Sequence, residues 1–324
     1  DYYKRDTKNA AIPVYIPVTG ESVLKPVGTI RNSGLELALN WSDKVNDKLS
    51  YNIGANFSTL KNQATDLYGQ KSIDGGTAEF RQRTYVGEPL MAFYGREVEG
   101  FYQTQEECDT NQFVIAYNAE NPAAPIKPGD FKYKDQNGDG KIDDDDRVIL
   151  GSYFPNFIYG GNIGINYSNW DFSLSFYGQS GNKILNRKRG EIIWTADGNM
   201  DADLATNVWR WNDNNNNGVV DAGEGISKKY PSSAGLRKGW NQKMSDYFVE
   251  DGSFFRIQNI QLGYTIKNNN WLGGQFPETR IYFTAERPLT LFKYNGFTPE
   301  VANGVDSQTY PVPAIYTFGL NVKF

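Results

Sequence analysis

The sequence predicts an all-β protein, a transmembrane antiparallel β-barrel with long extracellular loops. Three observations predict it. Aromatic residues make up 15% of the 324 residues, with 33 glycines against 3 methionines, a composition of strands and turns rather than helices. Segment after segment alternates apolar and polar residues with period two. The connections between those segments alternate between short and long, as in outer-membrane barrels with short periplasmic turns and long outside loops.

In chain order, Asp1-Tyr2-Tyr3 reads as the remnant of a strand. Leu35, Leu37, Leu39 and Trp41 then interleave with Glu36, Ala38, Asn40 and Ser42. Only the turn Asp43 to Lys48 separates this run from Leu49, Tyr51, Ile53, Ala55 and Phe57, which interleave with Ser50, Asn52, Gly54, Asn56 and Ser58. A second hairpin runs through Phe157, Tyr159, Ile163, Ile165 and Tyr167, turns at Ser168-Asn169, and returns through Trp170, Phe172, Leu174 and Phe176. Phe254 to Ile266 follows, with a switch of face near Gln258 that signals a bulge, and then Arg280 to Glu286 with Ile281, Phe283 and Ala285 on one side. The last strand is the cleanest: Tyr316, Phe318, Leu320, Val322 and Phe324 alternate with Thr317, Gly319, Asn321 and Lys323. That makes about eight strands of roughly 9 to 11 residues, long enough to cross a bilayer when tilted. The long connections fall near residues 8 to 29, 61 to 156, 181 to 252 and 287 to 313. Soluble β-sandwiches seldom carry loops of that length between strands this long. Within them, Leu90 to Tyr102 and Glu191 to Trp211 hold many aromatics and need burial against each other or a partner.

Composition excludes several functions. A formal net charge of −5 disfavours a nucleic-acid partner, which requires a clustered positive excess. With no histidine, Ser-His-Asp and Cys-His nucleophiles, His-ligated zinc or haem and imidazole proton shuttles are absent. Cys108 is the single cysteine, so there is no internal disulfide and no thiolate metal cluster. A mean hydropathy of −0.59 and the lack of a long apolar run exclude a transmembrane helix but not a barrel, whose strands average to a polar mean.

Two loops carry the spacing of a calcium site. In Asp135 to Asp146, oxygen donors fall at Asp135, Asn137, Asp139, the backbone carbonyl of Lys141, Asp143 (directly or through water) and Asp146, with Gly140 at the sharp turn. Asp146 stands where glutamate is usual, a shorter arm that weakens the site. The second, weaker match offers Asp213, Asn215, Asn217, the carbonyl of Val219, Asp221 and Glu224, with neutral Asn lowering the charge count. An acidic, Asx-rich turn without metal is the alternative reading for each. The expected ion is structural Ca2+, stapling the outside loops.

Several segments resemble one family. Pro128-Gly129-Asp130-Phe131-Lys132-Tyr133-Lys134-Asp135 through Asp146-Arg147, followed by Gly151, Pro155 and Tyr159-Gly160, is similar to the most recognisable stretch of the SusC/RagA family of TonB-dependent outer-membrane transporters of Bacteroidota. So are Asn32-Ser33-Gly34-Leu35-Glu36, Gly87-Glu88-Pro89-Leu90 leading to Phe93-Tyr94-Gly95 and Gly100-Phe101, and Trp170-Asp171-Phe172-Ser173 to Gly181-Asn182. Glu250-Asp251-Gly252-Ser253-Phe254-Phe255-Arg256, Leu262-Gly263-Tyr264 and Tyr294-Asn295-Gly296-Phe297-Thr298-Pro299-Glu300 complete the set, and Arg287-Pro288 departs from the usual Asn-Leu. The resemblance implies a 22-stranded barrel of which residues 1–324 supply the C-terminal eight or so strands, the plug domain and TonB box being absent from this chain. It further implies active import of oligosaccharides or peptides across the outer membrane, with a SusD-like surface lipoprotein as lid and the TonB complex engaged through the missing N-terminal part. Two transporter–lipoprotein pairs would form a dimer in outer-membrane lipid, and no bond would be made or broken.

Candidate substrate-stacking residues are Trp194, Trp209, Trp211 and Trp240, since apolar sugar faces pack on aromatic rings; packing inside the loops is the competing account. The basic cluster Arg187, Lys188 and Arg189 fits a solvated loop or contact with anionic lipopolysaccharide. The rival to the transporter is a stand-alone small barrel or adhesin with calcium-stapled surface loops, since about eight strands can close alone.

Overall fold

A computed structural model describes residues 1–16, 21–76, 79–186, 202–226, 229–232, 239–267, 277–306 and 309–323. Eight antiparallel strands form one wall in unbroken chain order: Tyr2–Ile16, Glu21–Lys44, Leu49–Thr59, Phe157–Tyr167, Trp170–Ser180, Phe254–Ile266, Glu278–Phe292 and Ile315–Lys323. A short segment, Lys61–Asp66, continues the third strand beside the second in the same register, with Glu36 opposite Ser58 and Ser33 opposite Lys61. Among the described residues the first and eighth strands do not pair, so the wall is an open sheet.

The alternation read from the sequence sets which way each side chain points. Leu35, Leu37, Leu39 and Trp41 on the second strand, Ile53 and Phe57 on the third, and Phe318, Leu320 and Val322 on the eighth all stand exposed on one face. Large apolar side chains in such number do not face water unless something apolar covers them. Paired residues share a face, so the register Leu37↔Phe57 and Phe283↔Phe318 makes that apolar surface continuous from strand to strand. The expected bulge is present: Gln258 is skipped in the register with both neighbours, and across it Arg287 turns into the left-handed region with φ 51°.

Two connections expected as loops are in part strand. Residues 8 to 29 mostly extend the first two strands into a long hairpin, with Lys8 opposite Thr29, Ile12 opposite Lys25 and Val14 opposite Val23. Pro13 and Pro26 and a register shift around Asn9 mask the alternation there, because proline reads as a strand breaker although edges and irregular positions tolerate it. Likewise Leu289, Leu291 and Phe292 prolong the seventh strand beyond the bulge.

The outside segments build their own cores. Ser72–Gly76, Arg81–Tyr85, Ala92–Gly95 and Val148–Gly151 make a four-stranded sheet, and Val98–Phe101 pairs with Phe131–Tyr133. Helices Gln105–Thr110 and Gln112–Glu120 start where Thr104 Oγ1 accepts from Glu107 N–H and Asn111 Oδ1 accepts from Val114 N–H. Tyr102, Cys108, Val114, Ile126, Phe131, Tyr133 and Trp240 form one buried cluster; Phe80, Phe93, Leu185, Met244 and Phe248 form a second. Of the aromatics of Leu90 to Tyr102, Phe93, Tyr94 and Tyr102 are thus buried within the loops and Phe101 is half-buried, whereas residues 191–201 of the other aromatic stretch lie outside the described residues.

If the exposed apolar face meets lipid, Leu39→Arg should cost about 2–4 kcal/mol of wall stability near mid-bilayer. The folded fraction in lipid vesicles, titrated with urea, measures it, and Asn40→Arg on the opposite face should cost much less.

Candidate functional site

The face of the wall opposite the apolar one is polar and nearly neutral. Asn40, Gly54 and Asn162 lie in one row across three strands, and a Cβ at Gly54 would sit 2.4 Å from Asn162 Oδ1 and 2.9 Å from Asn40 Oδ1. At Gly164 a Cβ would meet Asn52 Oδ1 at 2.2 Å, so asparagine amides lie flat over glycine backbone. The same device carries an ion pair: Arg280 donates to Asp171 at 3.0 and 2.6 Å across Gly263, where a Cβ would stand 2.5 Å from both partners. The surface is amide and hydroxyl in character, with its charge largely self-compensated.

The two acidic loops fold alike. In the first, Asp135 Oδ2 accepts from Gly140 N–H at 2.8 Å, while Asp146 accepts from the N–H groups of Gln136 and Asp143 at 2.8 and 2.7 Å. In the second, Asp213 Oδ2 accepts from Gly218 N–H at 2.8 Å, and Glu224 accepts from Asn214 and Asp221 at 2.9 and 3.0 Å. The left-handed residues also match, with Gly138 and Gly140 (φ 74° and 80°) corresponding to Asn216 and Gly218 (φ 56° and 73°). Backbone N–H groups, Gly140 foremost, hold the Asp135 carboxyl below its ordinary range.

Among the described residues no three acidic side chains converge as a ready-made metal cluster. The donor set of each loop is instead mixed: carboxylates, Asn amides and one carbonyl, all hard oxygen, which fits a calcium ion and not a zinc ion. Asn137 Nδ2 donates to Asp139 at 3.2 Å, and Asn215 and Asn217 Nδ2 both donate to Asp221 Oδ2, at 2.7 and 2.8 Å.

Each loop is tied to the outside core. Ile142 packs against the cluster around Trp240, and Val220 O accepts from Gln105 N–H at 2.9 Å. A second tie was not legible in the sequence. Arg96, 2% exposed, donates through Nη2 to Asp143 O at 3.0 Å and Asp144 Oδ1 at 3.2 Å, and Arg147 Nε donates to the same Asp144 oxygen at 2.9 Å. Burial and the neighbouring Arg147 push the Arg96 guanidinium down from its ordinary value. Arg96 and Asp144 are far apart in sequence, and no local pattern announces their meeting.

The tryptophans divide. Trp240, 1% exposed, donates Nε1–H to Phe131 O at 2.7 Å and packs against Phe113, Tyr117 and Tyr133. Trp209 is 4% exposed and lies over Gly129. Both are placed for packing and present no open ring face; Trp211 is half-buried, and Trp194 lies outside the described residues, as does the Arg187 to Arg189 cluster.

No family model matches the chain. Curated relatives align with all of it: TonB-dependent receptor P26 of Formosa agariphila at 30% identity over 344 residues, and TonB-dependent receptor SusC of Bacteroides thetaiotaomicron at 26% over 342 residues. The chain spans about a third of their length, 32% and 30% respectively. Among solved structures, the RagAB peptide importer in its open-open state matches with a TM-score of 0.75 at 21% identity, over 100% of this chain and 32% of that one. The closed-closed state gives 0.72 at 22%, over 98% of this chain and 32% of that one. At such identity the likeness shows the fold. The SusC/RagA resemblance carried by the motifs therefore holds along the whole chain. The relatives are named as receptors and not as enzymes.

One outside contact gives a pH prediction. Lys229, then Tyr230 and Asn207, hold the Asp203 carboxyl down at about 2, and this links the helix Ala202–Asn207 to the strand Tyr230–Ser232. A lowered carboxyl contributes fully above its unfolded value near 4 and loses that contribution as pH falls toward 2. Hydrogen exchange of residues 202–211 should stay protected from pH 7 to about 5 and speed up, after correction for intrinsic rate, toward pH 2.5. Asp203→Asn should remove that pH dependence.

Proposed function

We propose that this chain forms part of the barrel wall and the outside loops of a TonB-dependent importer in the outer membrane. The observation that carries the reading is the wall itself: eight sequential antiparallel strands, apolar on one face and amide-lined on the other, similar over their whole length to TonB-dependent receptors. The first strand and the eighth keep free edges among the described residues, which favours a share in a larger barrel over a closed eight-stranded one. The cargo would be an oligosaccharide or a peptide, the latter favoured by the name of the RagAB peptide importer. A SusD-like surface lipoprotein would cover the outside loops, the TonB complex would supply energy through a segment beyond this chain, and two transporter–lipoprotein pairs would form a dimer. Among the described candidate tryptophans, Trp211 is the one whose half-buried ring would suit contact with cargo.

In this reading calcium staples the outside loops. Asp135, Asn137, Asp139, the Lys141 carbonyl, Asp143 and Asp146 would hold one ion, and Asp213, Asn215, Asn217, the Val219 carbonyl, Asp221 and Glu224 a second, weaker one. The ion would supply fixed positive charge where carboxylates crowd. Arg96 and Arg147 would transmit the order of the first loop to the sheet Ala92–Gly95 and Val148–Gly151.

Deleting the gene for the receptor should abolish growth on the cargo polymer while leaving growth on its monomer intact; unimpaired growth on every oligosaccharide and peptide tested would sink the importer reading. For calcium, an ion at ten times its dissociation constant stabilises the folded loops by ~1.4 kcal/mol. Adding a chelator should raise hydrogen exchange in 135–147 and 213–224 together, and Asp135→Ala should remove the calcium response of the first segment only.

A further inference from the structure

The outward face of the first two strands changes character above the apolar run. Tyr2 stands opposite Leu35, and both are exposed. Every second residue shares their face, so the next outward row is Lys4, Ser33 and Lys61, the row beyond it Asp6, Arg31 and Gln63, and the third Lys8 and Thr29, with the exposed Asp66 brought opposite Thr29 by a shift in register. Asn62 and Ala64, which alternate with Lys61 and Gln63, are buried on the other side, which fixes the direction of the lysine and the glutamine.

Four cations thus gather against two carboxylates. Arg31 grips Asp6 with both arms, at 2.7 and 2.9 Å, which aligns the pair on the surface and leaves the lysines in excess around it. The height fits a membrane boundary. Counting up the second strand from the exposed Trp41, about ten residues of tilted strand cross the apolar layer, and the tenth is Arg31. The alternation of this face is interrupted at the shift in register around Asn9.

We propose that Lys4, Lys8, Arg31 and Lys61 form a docking surface for the phosphate groups of an anionic glycolipid of the outer leaflet, whose acyl chains lie on Tyr2, Leu35 and Leu37. The inference rests on the outer-membrane reading above. Charge complementarity and continuity with the apolar face argue for it together: a free anion would meet the cations but have no use for the adjoining leucines. Because the patch is exposed, its attraction is screened by salt.

The test uses the complete receptor that carries this chain, extracted from outer membranes and placed in phosphatidylcholine nanodiscs with bisphosphorylated lipid A or its dephosphorylated form. Lipid retained by the receptor is counted by mass spectrometry. The wild type should retain the phosphorylated form preferentially, and that preference should shrink as ionic strength rises from about 0.05 to 0.5 M. Removing the four charges in Lys4→Gln, Lys8→Gln, Arg31→Gln and Lys61→Gln together should weaken retention by at least about tenfold, at roughly fivefold per charge before losses to screening. Lys44→Gln with Lys48→Gln, at the opposite rim, should change nothing. Equal retention of both lipids by the wild type overturns the proposal without any variant, and so does unchanged retention by the fourfold variant. Absence of the receptor from the outer-membrane fraction would instead overturn the reading on which the inference rests.

Discussion

A backbone that crosses lipid cannot leave an N–H or C=O without a partner, because no water is present to take it. That constraint orders the wall. Strands adjacent in sequence pair in sequence, so each crossing finds its partner in the one before it and little chain is spent on crossovers. It also explains the asymmetry of the connections. The turn at Ser168-Asn169 needs only to reverse the chain, with Tyr167 opposite Trp170, whereas the long connections lie where water and side chains can satisfy the backbone.

Long insertions cost the wall little because their two ends emerge side by side. Thr59 stands opposite Phe157 although residues 60–156 intervene, and Gln179 stands opposite Phe254 across 180–253. Closure entropy grows only logarithmically with length, and these insertions recover it by burying their own aromatics. Trp240, Phe131 and Tyr133 show how: three rings from two insertions meet in one cluster, tied by Trp240 Nε1–H to Phe131 O and by Tyr133 O–H to Trp240 O. The outside body is therefore a second folding problem with its own core, joined to the wall at the strand ends.

The wall was legible because its signal is local. Period-two alternation in Leu49–Thr59 or Ile315–Lys323 needs no knowledge of neighbours, and even the bulge at Gln258 could be read as a switch of face. Where proline interrupts the pattern, as at Pro13 and Pro26, the hairpin was hidden although the backbone continues. The fold of the acidic loops was legible for a related reason: their Asp and Asn spacing, their left-handed turn residues and their capping acids all lie within twelve-residue windows. What joins distant segments was not. The convergence of Arg96, Arg147, Glu79 and Asp144 follows from tertiary packing that no spacing encodes, whereas the burial of Trp209 and Trp240 agrees with the loop-packing account of the tryptophans.

The two faces of the wall differ in what each asks of its side chains. On the apolar face every residue answers to the same solvent, so leucine, phenylalanine and isoleucine exchange freely as long as none is charged. On the other face, Asn40, Asn52, Asn56 and Asn162 over glycine make a smooth amide surface, and the ion pair of Asp171 with Arg280 cancels its own charge. Such a surface forms hydrogen bonds with hydroxyls, amides and water alike, and so discriminates poorly among hydrated solutes. Discrimination needs buried polar groups that go unpaired when the wrong partner arrives. The outside body does hold buried polar groups, since Arg96 and Arg147 keep buried nitrogens without hydrogen-bond partners, while on the wall Arg256, itself buried, meets Glu300 near the start of the sixth strand. In the importer proposed above, a change of cargo would therefore arise by remodelling the insertions while the wall stays as it is.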